Sequence, residues 1–428
     1  MKSYSENTLT REERLSLLRR PSTRRTDSAN VQEVCLAVKQ RGDEAVREYT
    51  RKFDNAEPSS LRVTAKDWEA AQRQLTQEFK DALTVAIKNI RTFHKSQLQK
   101  SRRITTTDGI VCWRETRPIE RVGLYVPAGS APLPSTVLML GIPAMLAGCS
   151  RIVLCSPPKA DGSVDPLVLA AAVRIGINEV YNVGGAQAIA AMAYGTESLP
   201  KVDKIFGPGN RFVTAAKQFV SNDPDGAAMD LPAGPSEVLI LADETADPEV
   251  VAYDLLSQAE HDADSQAVLV TTSEKVAKEV LRVLPQKALE FPRNKIVESS
   301  LEQSFILVAG SIESAVRFSN DYAPEHLILN MKNAAAVVPS ILNAGSVFVG
   351  SFAPVTAGDY ASGTNHTLPT SGSARWASGV SLDSFVKNVT FQSITKSGLK
   401  RLAPTLTTFA TVEGLLAHAR AVTSRLLK

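Results

Sequence analysis

The sequence predicts an α/β protein with two parallel-sheet domains and helical segments at both ends, and three observations carry that prediction. At 428 residues the chain exceeds what one hydrophobic core usually serves, so two or more units are expected. From about residue 121 short apolar strands alternate with helices of ten or so residues, the rhythm of a parallel sheet covered on both faces. The alternation runs through two series, and the stretches before and after them carry helical periodicity alone.

From Asn30 to about residue 100 the chain reads as helices, including "VQEVCLAVKQRGDEAVREYTRKF" and "WEAAQRQLTQEFKDALTVAIKNIRTFHKSQ", both with apolar residues three and four apart. "RVGLYVP" is then a short strand, Ser135 is placed to cap a helix from Thr136 to Leu146, and "RIVLCSP" is the next strand. "PLVLAAAVRIG" is helix, "EVYNV" strand, "AQAIAAMAYG" helix, "KIF" strand and "RFVTAAKQFVS" helix, with "EVLILA" closing the first series. The second series runs helix 247–260, strand "SQAVLVT", helix 274–284, strand "SFILVA", helix 312–320, strand "HLILN", helix 333–342 and strand "SVFVG". Beyond about residue 383 the pattern is helical, through Lys396 to Leu402 and Thr411 to Leu427. The expected architecture is therefore two Rossmann-like domains without a G-x-G-x-x-G fingerprint. Residues 122–242 and 243–382 form them, 1–121 is a helical segment packed on the second, and 383–428 is a helical tail.

Hydrophobic residues at 43% with 22% charged argue against long disorder. The formal charge of +3, from 48 basic and 45 acidic side chains, is too balanced for a nucleic-acid footprint. The local cluster of Arg19, Arg20, Arg24 and Arg25, beside Pro21, Ser22 and Thr23, reads as a solvated arm. Neither a secretory signal nor a run approaching 18 apolar residues is present, so no membrane contact and a cytoplasmic location are expected. Cys35, Cys112, Cys149 and Cys155 form no C-x-x-C pair, which suggests neither a disulfide framework nor a thiolate zinc site.

Parallel sheets bind ligands at the carboxyl ends of their strands. In the first series those loops are "PAGSAP", "GGAQ" and "GPGN", each with glycine where a strand turns into a helix. Tight turns explain any one of them, but three in one series favour a phosphate-bearing cofactor at positive helix ends. In "DLLSQAEHDADSQ", Gln258 and His261 stand three apart on a helix end, where they are either solvated or share a cation or a water. "DYAPEHLI" sets Glu325 beside His326 at the start of a strand, a natural general-base pair if both reach one cleft. "TAGDYASGTNHTLPT" is a long polar loop, a frequent sign of function. His418 lies with Leu415 and Val422 on an apolar helical stripe, where a satisfied core histidine is the default. Glu413 is about 140° away from it unless the helix begins between them. Together Gln258, His261, Asp359 and His418 offer two imidazoles and two oxygens, a set suited to zinc and open to substrate donors.

These segments, in this order, resemble the histidinol dehydrogenase family over nearly the whole chain, through "GLYVPAGSAPLPSTVLML", "NVGGAQAIAA", "KIFGPGN", "DLPAGPSEVL", "DLLSQAEHDADSQ", "YAPEHLI", "AGSVFVG" and "AGDYASGTNHTLPT". The resemblance implies oxidation of L-histidinol through L-histidinal to L-histidine, with two NAD reduced in succession, in the last two steps of histidine biosynthesis. It implies one zinc ion per subunit on Gln258, His261, Asp359 and His418, and an acid/base pair of Glu325 and His326. Ser236, His366 and Glu413 fall on substrate contacts, with the zinc ligands and His326 also facing the substrate. Tyr125, Gln187 and Asn210 fall on NAD contacts. A homodimer is implied, with the tail of one chain carrying His418 into the site of its partner. Two rivals remain: a zinc hydrolase, which needs no cofactor loops, and a non-catalytic binding protein, which has no use for Glu325 beside His326.

Overall fold

A computed structural model describes residues 1–21, 28–98, 100–128, 131–231 and 234–427. Arg24 and Arg25 of the basic cluster with Ser22 and Thr23, Gly129 and Ser130 of the first glycine loop, and Pro232 and Ala233 of "DLPAGPSEVL" lie outside the described residues.

The chain starts with β1 (Lys2–Ser5) and α1 (Arg11–Leu18), whose first turn is closed by reciprocal bonds between Thr10 and Glu13. The stretch 31–53, read as helical, is divided into α2 (Ser28–Arg41) and α3 (Asp43–Asp54) by Gly42, whose φ of 55° no helix interior tolerates. The next stretch divides similarly into α4 (Ala65–Arg73) and α5 (Gln77–Lys95), the latter capped by Thr76. Two strands absent from the sequence reading follow, β2 (Ile104–Thr107) and β3 (Ile110–Pro118).

The first series comprises β4 (Arg121–Tyr125), α6 (Pro134–Ala147), β5 (Arg151–Ser156), α7 (Pro166–Ile175), β6 (Glu179–Asn182), α8 (Gly185–Tyr194), β7 (Lys204–Phe206), α9 (Arg211–Ser221) and the short β8 (Ala228–Met229). Ser135 does not cap α6: Pro134 opens the helix, and the cap position falls on Leu133. The second series comprises β9 (Glu237–Ala242), α10 (Pro248–Ala259), β10 (Gln266–Thr271), α11 (Glu274–Ala288), α12 (Asn294–Glu302), β11 (Phe305–Val308), α13 (Ile312–Tyr322), β12 (His326–Asn330), α14 (Ala334–Val337), β13 (Ser346–Val349) and α15 (Val355–Tyr360). The tail holds β14 (Val386–Ile394), α16 (Lys396–Val412) and α17 (Leu416–Leu426).

Two all-parallel sheets result, in the orders β6-β5-β4-β7-β8 and β1-β11-β10-β9-β12-β13. β9, expected to end the first series, lies inside the second sheet, paired to β10 and β12. All six of its residues are buried, as a strand covered on both faces requires. The amino-terminal helices also differ from expectation, because they pack on the first sheet's unit. Val34, Val38 and Tyr49 join Val183, Ile189 and Val213 in one cluster, while Leu83 and Ile90 join Leu138 and Ile142 in another. β1 and α1 instead go to the second sheet, β1 extending its edge beside β11 while Leu17 and Leu18 cover its core. The tail is not purely helical, since β14 pairs antiparallel with β3 in a small third sheet. Cys155 is fully buried and Cys149 half-buried, and all four cysteines are free thiols. Among the described residues no helix is long and apolar enough to cross a membrane.

Candidate active site

The carboxyl side of the first sheet meets the amino side of the second where His366 reaches Thr136, and several of the predicted residues, though not His418 or Glu413, lie about that junction. Glu325 and His326 lead into β12, where the strand's first residue pairs with Val238 of β9. Both side chains are buried. Glu325 Oε2 accepts from the Glu237 amide at 2.9 Å, and His326 Nδ1 lies 3.1 Å from the Glu237 carbonyl. That carbonyl can only accept, so Nδ1 carries a proton, and Nε2 becomes the acceptor in the neutral ring. Nε2 is 3.8 Å from Asp359 Oδ1 and has no hydrogen-bond partner among the described residues.

Asp359 comes from α15 and His366 from the loop after it. His366 Nδ1 lies 3.1 Å from the Asp359 carbonyl and its Nε2 lies 3.1 Å from the Thr136 hydroxyl in the first turn of α6. This contact ties the second sheet's loop to the helix that follows β4. Gln258 lies in the last turn of α10 with its side chain buried, and its Nε2 has no partner among the described residues. His261 follows in the turn just past the helix's C-cap, its amide donating to the Gln258 carbonyl at 3.3 Å.

The electrostatics tie these groups into one cluster. Burial disfavours the His326 imidazolium, but Glu325, then Asp359 and the Glu237 carbonyl, outweigh it and raise the ring to about 9. Burial pushes the Asp359 carboxyl up against the opposing pull of His326 and His261. Burial drives His366 down to about 4, with His326 and His261 adding to the effect. His366 is thus a neutral hydrogen-bonding group at physiological pH. Ser236 stands directly before β9, its carbonyl accepting from Gln266 at 3.1 Å.

The expected NAD contacts sit on the first sheet. The Tyr125 hydroxyl, at the end of β4, accepts from the Gly185 amide at 3.1 Å. Gln187 in the first turn of α8 is fully buried and donates to Asp54 at 3.1 Å, leaving its Oε1 without a partner among the described residues. Asn210 caps α9, accepting from the Phe212 and Val213 amides at 3.0 and 3.1 Å. The glycine loop before it is packed on Tyr125: Gly207 has φ 122°, and a Cβ there would lie 2.1 Å from the Tyr125 carbonyl.

Two expected residues stay outside the cluster. His418 is exposed on α17 and not part of a core, and Glu413 is exposed at the end of α16. The chain does start a new helix between them, so their angular relation follows no single helix. Their neighbours leave an apolar face uncovered, with Val412 82% and Leu416 62% exposed. Among the described residues no three His, Cys, Asp or Glu side chains converge to hold a metal. Glu237, Thr136 and Asp54 were missed by sequence reasoning. Glu237 lay within "AGPSEVL" directly after Ser236, whereas the other two carry no local signal.

Comparison with known proteins shows which proteins the chain is similar to. The family model described as histidinol dehydrogenase matches residues 18–426. The histidinol dehydrogenase of Photobacterium profundum is 51% identical over 432 aligned residues, covering 100% of this chain and 96% of that protein. That of Vibrio vulnificus strain CMCP6 is 52% identical over 417, covering 96% of this chain and 95% of the relative. The crystal structure of histidinol dehydrogenase from Elizabethkingia anophelis superposes with a TM-score of 0.96 at 50% identity, covering 100% of this chain and 98% of that one.

Proposed function

Because the chain belongs to the histidinol dehydrogenase family, we propose that it oxidises L-histidinol through L-histidinal to L-histidine, using zinc and two successive NAD molecules. The observation that carries this reading is the convergence of Glu325, His326, Asp359 and His366, with His261 close enough to act on the titration of two of them.

The donors fit a divalent metal. Gln258 Nε2 is a buried amide atom without a partner, and a rotated amide would present its oxygen instead. With His261 and Asp359 it leaves a set one donor short, and His418 of a second copy would complete it. The exposed apolar face around Val412 and Leu416 supports a tail that packs on another chain. Zinc held there would supply a charged template for the amino and imidazole nitrogens of histidinol. NAD, held by Tyr125, Gln187 and Asn210, would supply the two-electron acceptor of each oxidation.

The remaining work falls to this chain's side chains. His326 accepts the alcohol proton on Nε2 as hydride leaves the carbinol carbon. With a divalent cation held by Asp359, part of the pull that raises His326 to about 9 would be offset, favouring the neutral ring that a base requires. Glu325 takes a proton from water as the oxygen adds to the aldehyde carbon, while His326 returns its proton to the former carbonyl oxygen, giving the hydrate that loses the second hydride to NAD. Ser236, His366 and Glu413 would hold the substrate, with Glu413 reaching in from the second copy. The test is metal analysis of purified protein with an assay of histidinol-dependent NADH formation. Turnover with about one zinc per chain is expected, and absence of NADH after zinc reconstitution would overturn the reading.

A further inference from the structure

Arg20 belongs to the basic cluster read as a solvated arm, yet its side chain is only 14% exposed. Its guanidinium forks onto Glu237, with Nε on Oε2 and Nη2 3.0 Å from Oε1. Nη2 also donates to the Tyr322 carbonyl at 2.7 Å and reaches the Ala323 carbonyl at 3.4 Å. The guanidinium carbon lies 3.4 Å from the centre of the Tyr322 ring, and the Tyr322 hydroxyl donates to Gln266 Oε1 at 2.6 Å. Ala323, two residues before Glu325, sits at φ 52°, a conformation that a residue with a Cβ holds only when its surroundings fix it.

Arg20 therefore grips the two segments that lead into β9 and β12. The same Glu237 whose carboxylate it holds uses its amide on Glu325 and its carbonyl on His326. We propose that Arg20 and Glu237 form a positioning pair that fixes Glu325 and His326 in their reactive orientation, so that a residue of the amino-terminal segment sets the geometry of the acid/base pair. In this proposal the pair acts through Glu325 and His326 and not on the substrate itself. The inference rests on the proposed roles of Glu325 and His326. Its physical basis is that removing Arg20 strands the Glu237 carboxylate in a buried site beside a second carboxylate, and the strain is relieved by movement of the backbone that holds both side chains.

The test compares Arg20→Met, Arg20→Lys, Glu237→Gln and the double variant Arg20→Met/Glu237→Gln with the wild type. Rates are normalised to folded protein by circular dichroism and to zinc content. For Arg20→Met, kcat should fall on the order of 10- to 100-fold while KM for histidinol and zinc content hold, because Gln258, His261 and Asp359 are not disturbed. Arg20→Lys keeps the charge without the fork and should recover part of kcat. The double variant should be faster than either single removal, since no unpaired charge remains. Should Arg20→Met not fold, Glu237→Gln and the double variant carry the same comparison. Unchanged kcat in folded single variants, a loss confined to KM, or a double variant whose loss is the product of the single losses would each refute the pair. A wild type without histidinol turnover would instead refute the activity on which the pair depends.

Discussion

Lys217→Met tests whether a buried charge pair sets the loop that carries Asn210. Lys217 is 3% exposed, ion-paired with Asp230 and donating to the Gly207 carbonyl at 3.0 Å, while Asp230 accepts from the Gly207 amide at 2.8 Å. The amide and the carbonyl of Gly207 are thus both held by one ion pair. Methionine fills nearly the same volume, so packing changes little. The loss is electrostatic, and stranding one member of a buried pair costs about 3–5 kcal/mol. Lys204 also interacts with Asp230, which places the expected loss toward the lower end. An unfolding entropy of about 2.1 cal/mol/K per residue makes 3 kcal/mol equivalent to a fall in Tm of roughly 3–4 °C for a chain of 428 residues unfolding as one unit. Thermal melts and steady-state kinetics together decide the matter. Tm should fall by that amount, KM for NAD should rise several-fold, and KM for histidinol should hold. Lys217→Met/Asp230→Asn should recover most of the Tm, because neither charge remains. An unchanged KM for NAD in a variant that melts earlier would refute the loop's role in holding the cofactor.

His326→Ala should slow histidinol oxidation on the order of 100-fold or more with zinc retained, and parallel loss of metal would reassign the residue. Glu325→Gln should impair oxidation of supplied histidinal more than that of histidinol, which paired assays on the two substrates resolve. Refolding a mixture of His261→Ala and His418→Ala should restore about a quarter of wild-type activity, because half the dimers are mixed and each has one intact site of two; no recovery in mass-confirmed heterodimers would place His418 in its own subunit's site. Burial raises Asp54 to about 6 against the bond from Gln187. The folded form therefore holds this proton more tightly than the unfolded chain, and the stability so gained is present below about pH 4 and lost as pH rises through 6. Asp54→Asn should accordingly melt higher than wild type at pH 7.5, with the gap closing toward pH 4.

The alternation of strand and helix was legible because strands covered on both faces are written as unbroken apolar runs, as in "EVLILA" and "QAVLV". Which sheet a strand joins was not, since β9 is placed by pairing with β10 and β12 and nothing in its own residues names those partners. β14 and β2 escaped notice because both are largely exposed and carry no apolar period. Glu325, His326, Gln258 and His261 were visible as residue types at suggestive spacings. Arg20 was not, because an arginine beside other arginines looks solvated until its partner, far along the chain, is known.

The β1 edge of the second sheet has a consequence for how the molecule is made. A ribosome releases Lys2–Ser5 and Arg20 long before it has produced Phe305–Val308 and Tyr322, to which they must attach. During that interval α2 to α9 can collapse on the first sheet, while the leading segment waits beside them with an unpaired strand. Synthesis from one end thus assembles the first sheet's unit early, and the β1 segment is among the last to dock. A long non-local closure of this kind is slow and leaves an aggregation-prone edge open in the meantime. A nascent chain arrested before residue 305 should therefore protect the first sheet from protease while residues 1–20 remain cleavable.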